Sequence, residues 1–414
     1  MRILYSLLIL LALPFIGVRL CWRARRQPAY RKHVGERFGY YDAYETKPLI
    51  WLHAVSVGET RAAEPLVRAL LEKYPGQHIL LTHMTPTGRE TSEALFAADT
   101  DKVTRCYLPY DYPGAVARFL NHYQPCVGIL METEIWPNLV HACRARATPI
   151  YLANARLSEK SFAGYRRVGS LTLHTLRSFN AIAAQSVADA QRFKALGAVN
   201  VAITGNLKFD VAPSPVQRML GEHLRECFGA RRVLLAASTR EGEELLLINN
   251  KLYDIPGALL VIVPRHPQRF DDVAALLDHH HISYQRRSAN EAVRNETRVL
   301  LGDTMGEMIA YYAACDIAFI GGSLLPLGGQ NLIEACAMGK PVLIGPHTHN
   351  FAEATEQAIT AGAAVRVMDA ADLQRKAVAL LDSPKVTERM SAVALAFSNQ
   401  HRGATARLLE LIRF

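Results

Sequence analysis

The sequence predicts an α/β protein built from two doubly wound parallel sheets. Three observations predict it. Short apolar runs alternate with helix-period segments along most of the chain, the rhythm breaks once near residues 211–215, and 414 residues that are half apolar exceed what one core usually holds. A series of strand-like runs falls at 49–53, 79–83, 105–108, 127–131, 150–153, 182–184 and 201–204. After Val211-Ala212-Pro213-Ser214-Pro215 a second series falls at 233–237, 259–263, 299–301, 317–320 and 342–344. Two such lobes joined by a Pro-containing connection are expected to face a cleft.

The N-terminus opens with an apolar run, 3–18, interrupted only by Ser6, Pro14 and Gly17. At about 1.5 Å per residue it falls short of a hydrocarbon core of about 30 Å, and extension through Leu20, Cys21 and Trp22, with Arg19 snorkelling, nearly closes the gap. Between Arg19 and Arg37 stand Arg19, Arg23, Arg25, Arg26, Arg31, Lys32 and Arg37 against Glu36, which accounts for six of the nine net positive charges. The run therefore reads as a membrane anchor, residues 1–22, with the rest of the chain on the cytosolic side and the basic segment against anionic lipid. No small-residue cleavage site follows it, which argues against a secretory signal. The remaining charge is nearly balanced, so a general nucleic-acid binder is excluded. Seven scattered cysteines without C-x-x-C or metal spacing read as reduced core residues of a cytosolic protein.

Residues just beyond strand ends are where open α/β sheets bind ligands. After the first run comes Ser56-Val57-Gly58-Glu59, with Gly58 read as the sharp turn into a helix and Glu59 in its first turn. Such a carboxylate either complements the helix dipole or works as a base. After 127–131 comes Glu132-Thr133-Glu134-Ile135-Trp136-Pro137-Asn138, a pair of acids that fits a helix cap as well as a site. No His or third carboxylate stands at metal-ligand spacing beside it. Gly205-Asn206-Leu207-Lys208-Phe209-Asp210 places a lysine near the lobe boundary. In the second series, Pro264-Arg265-His266-Pro267 fixes a guanidinium between two prolines. Gly302-Asp303-Thr304-Met305-Gly306-Glu307, Gly321-Gly322-Ser323 and Gly328-Gly329-Gln330-Asn331-Leu332-Ile333-Glu334 are three glycine-bearing turns whose backbones can approach a phosphate. Glu334 stands one turn into a helix, where it can bind vicinal ribose hydroxyls. No G-x-x-x-x-G-K-[ST] is present, which disfavours a P-loop ATPase.

These segments, together with Met84-Thr85-Pro86-Thr87-Gly88, Leu108-Pro109-Tyr110-Asp111 and Ala153-Asn154-Ala155-Arg156-Leu157-Ser158, closely resemble the 3-deoxy-D-manno-octulosonic acid (Kdo) transferases of lipopolysaccharide assembly. The resemblance covers nearly the whole chain. It implies a GT-B glycosyltransferase fold, CMP-Kdo as donor, lipid IV(A), the tetra-acylated precursor of lipid A, as acceptor, a place at the inner membrane facing the cytosol, and inversion at the anomeric carbon without a metal or other cofactor. By position it makes Glu59 the proton acceptor and Glu132 and Lys208 the transition-state stabilisers. Pro264, Arg265, Met305, Gly306, Glu307, Asn331, Leu332, Ile333 and Glu334 match the family's CMP-holding segments. One departure stands out: where the family often has Gly-Gly-His-Asn-Pro-Leu-Glu, this chain has Gly328-Gly329-Gln330-Asn331-Leu332-Ile333-Glu334, so a neutral amide replaces an imidazole. The expected organisation is an anchor at 1–22, an acceptor domain at 23–210, a CMP-sugar domain at 211–385, and C-terminal helices at 386–414 that return to the first lobe. Two other readings share the pattern: another GT-B nucleotide-sugar enzyme, such as a glycolipid transferase or an epimerase, and a two-lobed periplasmic binding protein.

Overall fold

The computed structural model describes residues 1–43, 47–211 and 215–413. The chain divides into two compact units, residues 1–211 with 402–414, and residues 212–401. The connection expected at 211–215 lies mostly at 212–214, outside the described residues.

Unit 1 carries seven parallel strands, β1 (Leu49–His53), β2 (His78–His83), β3 (Val103–Tyr107), β4 (Val127–Met131), β5 (Ile150–Ala155), β6 (Ala181–Ala184) and β7 (Val201–Ile203), in the order β3-β2-β1-β4-β5-β6-β7. β1 shows why the run 49–52 had to be apolar throughout. Leu49 and Trp51 enter a core on one face with Phe119 and Leu139, while Ile50 and Leu52 enter the core on the other with Leu66 and Leu70. A strand covered on both faces carries no polar alternation. Gly128 on β4 lets Trp51 lie flat, since a Cβ there would stand 2.8 Å from Trp51 Cε3.

Unit 2 also carries seven parallel strands, β8 (Arg232–Thr239), β9 (Ala258–Pro264), β10 (Tyr284–Arg286), β11 (Val299–Leu301), β12 (Ile317–Ile320), β13 (Val342–Ile344) and β14 (Ala364–Arg366), ordered β10-β11-β9-β8-β12-β13-β14. The two strands that the sequence did not suggest, β10 and β14, are the two edges. Each has three residues, mostly half-exposed, so neither leaves an apolar run to read.

The N-terminal helix α1 (Arg2–Arg26) is longer than its apolar run and covers roughly 37 Å, enough to cross a membrane by length. Its faces differ. Tyr5, Ser6, Ile9, Ala12, Leu13, Ile16 and Leu20 are half-buried at helical spacing, whereas Ile3, Leu7, Leu11, Phe15 and Val18 are exposed. Ser6 Oγ donates to Asn138 Oδ1 at 3.0 Å, joining the inner face to unit 1. The basic segment after α1 is not all surface. Arg37 is buried, stacked 3.9 Å from the Tyr107 ring centroid, with Nη1 donating to Met84 O at 3.1 Å. Arg19, Arg23, Arg25, Arg31 and Lys32 remain exposed. The cysteines also depart from expectation: all seven are free, but Cys21 and Cys126 are exposed and Cys227 is half-buried, leaving only four in cores.

At the other end of the chain, the helix Pro384–Gln400 belongs to unit 2, and the return to unit 1 comes later, through the helix Ala404–Leu411. Ala404, Leu408 and Ile412 enter the core under β1. The return is fastened by Asp210, whose carboxylate accepts from Gly403 N at 2.7 Å and Thr405 N at 2.6 Å and so caps that helix. Asp210→Ala is expected to cost the helix about 0.5–2 kcal/mol, the range for an N-cap carboxylate. Amide hydrogen exchange across 404–411 should quicken accordingly, and unchanged exchange would show that core contacts alone hold the helix.

Candidate active site

Strand order in unit 1 reverses between β1 and β4, and ligands bind open sheets beyond the carboxyl ends at such a point. Glu59 and Glu132 follow these two strands. Ser56, in extended backbone, makes the turn into α2 (Val57–Lys73), and Glu59 occupies its first turn. Gly58 does not make that turn. It lies within the helix without a positive φ, and an added Cβ would meet nothing within 4 Å, so the space beside it is open. Glu59 Oε2 accepts from Val55 N at 2.8 Å and Oε1 from Ser56 Oγ at 3.2 Å, which folds the carboxyl back over the helix end.

Glu132 follows β4 with φ 55°, a left-handed conformation that a non-glycine residue holds only under constraint. Its amide donates to Ala153 O at 2.9 Å, and its Oε1 lies 3.4 Å from Lys208 Nζ. Lys208 stands in the turn Leu207–Asp210 just past β7, which is anchored from beneath: Asn154, buried at the end of β5, accepts from Leu207 N at 3.1 Å through its side chain. Thus the sheet edge gathers Glu59, Glu132 and Lys208 from β1, β4 and β7. The two acids after β4 are not the cap of the helix Pro137–Ala145. Asp111 takes that work, accepting from Asn138 N at 3.0 Å and Leu139 N at 2.8 Å. Glu132 and Glu134 are thereby left to the site.

Burial, followed by the neighbouring charge of Glu132, pushes the Glu59 carboxyl up to about 8, with Glu134 adding to the rise and the Val55 amide opposing it. Glu134 is itself raised, by burial first and Glu132 second. Its Oε2 accepts from Trp136 Nε1 and lies 3.9 Å from His53 Nε2. Burial drives His53 down to about 3, so this neighbour is a neutral imidazole and not a counter-ion. A carboxyl titrating near working pH is suited to take a proton from a hydroxyl.

In unit 2 the order reverses between β8 and β12. Here Gly321 is needed for close approach, because a Cβ would stand 2.6 Å from Ser238 O. The turn it opens is not free to hold a phosphate. Glu243, fully buried, accepts from Arg240 N at 2.9 Å, Gly322 N at 2.5 Å, and Ser323 N and Leu324 N at 3.0 Å each. Sequence reasoning missed Glu243, although a pair of acids just past a strand is the signal that drew attention to Glu132 and Glu134.

The remaining candidates line the same carboxyl edge. Arg265 follows Pro264 at the end of β9, its amide donating to Thr239 O at 2.9 Å. Met305 is exposed, Gly306 has φ 83° with open space around its missing Cβ, and Glu307 is held by Thr304 Oγ1 at 2.6 Å and Arg287 Nε at 3.3 Å. Asn331 ties the last turn together, accepting from Ile333 N at 3.1 Å and donating to Glu334 Oε1 at 3.0 Å. Leu332 and Ile333 bury their side chains, so only their backbones can meet a ligand. Among the described residues no group of three His, Cys, Asp or Glu is placed to hold a metal ion.

Replacing Glu132 by Gln removes one of the charges that raise Glu59, so the Glu59 titration should move down from about 8 yet stay above the ordinary carboxylate range, because burial is the larger cause. Since Glu59 is raised in the folded state, folding holds its proton more tightly than the unfolded chain does. Its effect on stability therefore turns unfavourable as pH rises from the unfolded value through about 8. Denaturation series across that window should show a fall that is shallower in Glu59→Gln, and equal slopes would contradict the raised carboxyl.

Residues 32–211 match the family model described as 3-deoxy-D-manno-octulosonic-acid transferase (kdotransferase), and residues 279–395 match glycosyl transferases group 1. The chain is 43% identical to the 3-deoxy-D-manno-octulosonic acid transferase of Bordetella pertussis, over 99% of this chain and 98% of that one. It is 38% identical to the enzyme of the same name from Haemophilus influenzae, over 100% and 98%. In fold it is similar to the UDP-GlcNAc 2-epimerase from Neisseria meningitidis, with a TM-score of 0.62 at 15% identity, covering 88% of this chain and 99% of that one. That likeness is one of GT-B architecture alone. With two parallel seven-stranded sheets of this kind and end-to-end relatives at such identity, the chain belongs to the 3-deoxy-D-manno-octulosonic acid transferase family of glycosyltransferases.

Proposed function

We propose that this enzyme transfers Kdo from CMP-Kdo to lipid IV(A), with inversion and without a metal, at the cytosolic face of the inner membrane. The observation that carries the reading is Glu59: a raised carboxyl at the reversal point of unit 1, on an edge shared with the Glu132–Lys208 pair. An acceptor hydroxyl is a poor nucleophile at neutral pH. Glu59 takes its proton as the new carbon–oxygen bond forms, while the bond from the anomeric carbon to the phosphate breaks and its electron pair leaves with CMP. Lys208, steadied by Glu132, offsets charge as it develops.

The nucleotide falls to unit 2. With the Gly322 and Ser323 amides already spent on Glu243, phosphate recognition rests on Arg265 and the backbone around Gly306, and ribose recognition on Glu334, which Asn331 orients. Gln330 stands where the family often has His and supplies a neutral hydrogen bond. The exposed apolar face of α1 and the basic residues after it hold the enzyme on anionic lipid, beside an acceptor that is itself acidic and acylated.

Incubation with CMP-Kdo and lipid IV(A), followed by mass measurement of the lipid, tests the whole reading; consumption of a UDP-sugar instead would favour a different nucleotide-sugar enzyme. Glu59→Gln keeps the shape of the side chain and removes the basic oxygen. Single-turnover transfer should slow by at least about 100-fold with little change in CMP affinity. Wild-type transfer should quicken as pH rises towards about 8, the form of Glu59 that accepts protons becoming dominant there. Transfer by Glu59→Gln within about threefold of wild type would assign the base elsewhere. For the nucleotide, Arg265→Ala and Glu334→Ala should each weaken CMP binding by about 1–3 kcal/mol, measured by isothermal titration. Unchanged affinity in both would remove CMP from this edge.

A further inference from the structure

A cavity of about 360 Å³ lies in unit 1 between α1 and the segment that follows β4. One wall is the inner face of the anchor helix, Tyr5, Ile9 and Ile16; the other is Ile135 and Trp136, and Glu134 stands in its lining. The volume is that of a small-molecule pocket, which ordinarily falls at about 300–1,000 Å³. Two observations bear on what fits it. The first is continuity. On the far side of α1 the exposed residues Ile3, Leu7, Leu11, Phe15 and Val18 form an apolar face that water does not favour, while Glu134 is two residues from Glu132 and its charge is felt at Glu59. The cavity thus lies between a helix whose other face is lipid-seeking and the segment that carries the carboxylates. The second is polarity at that end. His53 is fully buried, its Nε2 has no hydrogen-bond partner, and that atom lies 3.9 Å from Glu134 Oε2. The other acid in the lining, Asp111, is engaged as a helix cap.

An occupant must therefore be apolar along its length and neutral at its polar end, with a hydrogen to donate to Glu134. A free fatty acid fails, because its carboxylate would meet a carboxylate. We infer that the cavity seats one acyl chain of the glycolipid acceptor, its amide or hydroxyl end donating to Glu134, so that α1 is a wall of the acceptor site as well as an anchor. The inference rests on the acylated acceptor proposed above. It also gives α1 an orientation: a helix that packs on unit 1 from Tyr5 to Ile16 lies along the membrane surface with one face in lipid.

The test fills the cavity without touching the carboxylates. In detergent micelles, full-length Ile9→Trp, with Ile16→Trp as a second variant, is compared with Val199→Trp, an exposed apolar position of unit 1 outside both α1 and the cavity, using lipid IV(A) and the same phosphorylated disaccharide stripped of its acyl chains. Filling the pocket should raise KM for the acylated acceptor by about tenfold or more, since misfit of even a methylene in an apolar pocket costs about 10–200-fold. KM for the stripped acceptor and CMP affinity should stay unchanged, and Val199→Trp should be silent. Equal shifts on both acceptors, loss of activity on both, or no shift on either overturns the seat. Should the wild type transfer Kdo to neither acceptor, the reaction assigned above falls instead, and the cavity is then judged by binding alone. In a Trp22→Phe background, a glycolipid with a brominated acyl chain should quench Trp136 fluorescence while the enclosed Trp51 keeps its emission. An unquenched Trp136 refutes the proposal.

Discussion

Parallel strands cannot be joined by tight turns, so nearly every connection in both sheets runs through a helix that covers a face, the loop between β10 and β11 being the exception. Polar chemistry is thereby driven to the ends of the strands. In unit 1 β1 and β4 diverge in the direction their connections take, and the gap this leaves at the carboxyl edge is where Glu59 and Glu132 come together. Unit 2 repeats the arrangement at β8 and β12, but there an internal carboxylate, Glu243, fills the gap. The same topology thus yields an open position in one unit and a closed one in the other.

Electrostatics gives the open position its character. Three carboxyls are held near one another on a largely buried edge, and among the described residues Glu132 alone of the three has a lysine beside it. The result is asymmetric: Glu132 has Lys208 as an ion-pair partner, and Glu59 is pressed towards holding a proton. A pair of acids in unlike surroundings divides into acid–base and electrostatic roles, which one carboxylate alone could not fill.

Most of this edge was legible in the chain because it sits at abrupt transitions, where an apolar run stops and a charged residue follows. Glu59, Glu132 and Lys208 stand within a few residues of such strand ends, but it was the family resemblance, not position alone, that gave them roles. What the sequence did not reveal depended on partners distant along the chain. Gly58 looks like a turn residue, yet Ser56 turns the chain. Arg37 looks like part of a lipid-facing cluster, yet a gap beside Tyr107 accepts it. Asp111 lies 27 positions before the helix amide it caps, and Glu243 about 80 before three of the amides it binds. The edge strands β10 and β14 were silent for a simpler reason: a three-residue strand exposed on one side has no pattern to detect.

Unit 1 is assembled from both ends of the chain. Its last piece, 402–414, leaves the ribosome only after all of unit 2, yet it is the piece that Asp210 holds, two residues from Lys208. Domains form largely in order of synthesis. Helix α1 and the six crossovers of unit 1 are therefore made before the turn bearing Lys208 gains its final support. Under the role proposed for Lys208, the turn that carries it is therefore steadied by a segment made after the whole of unit 2.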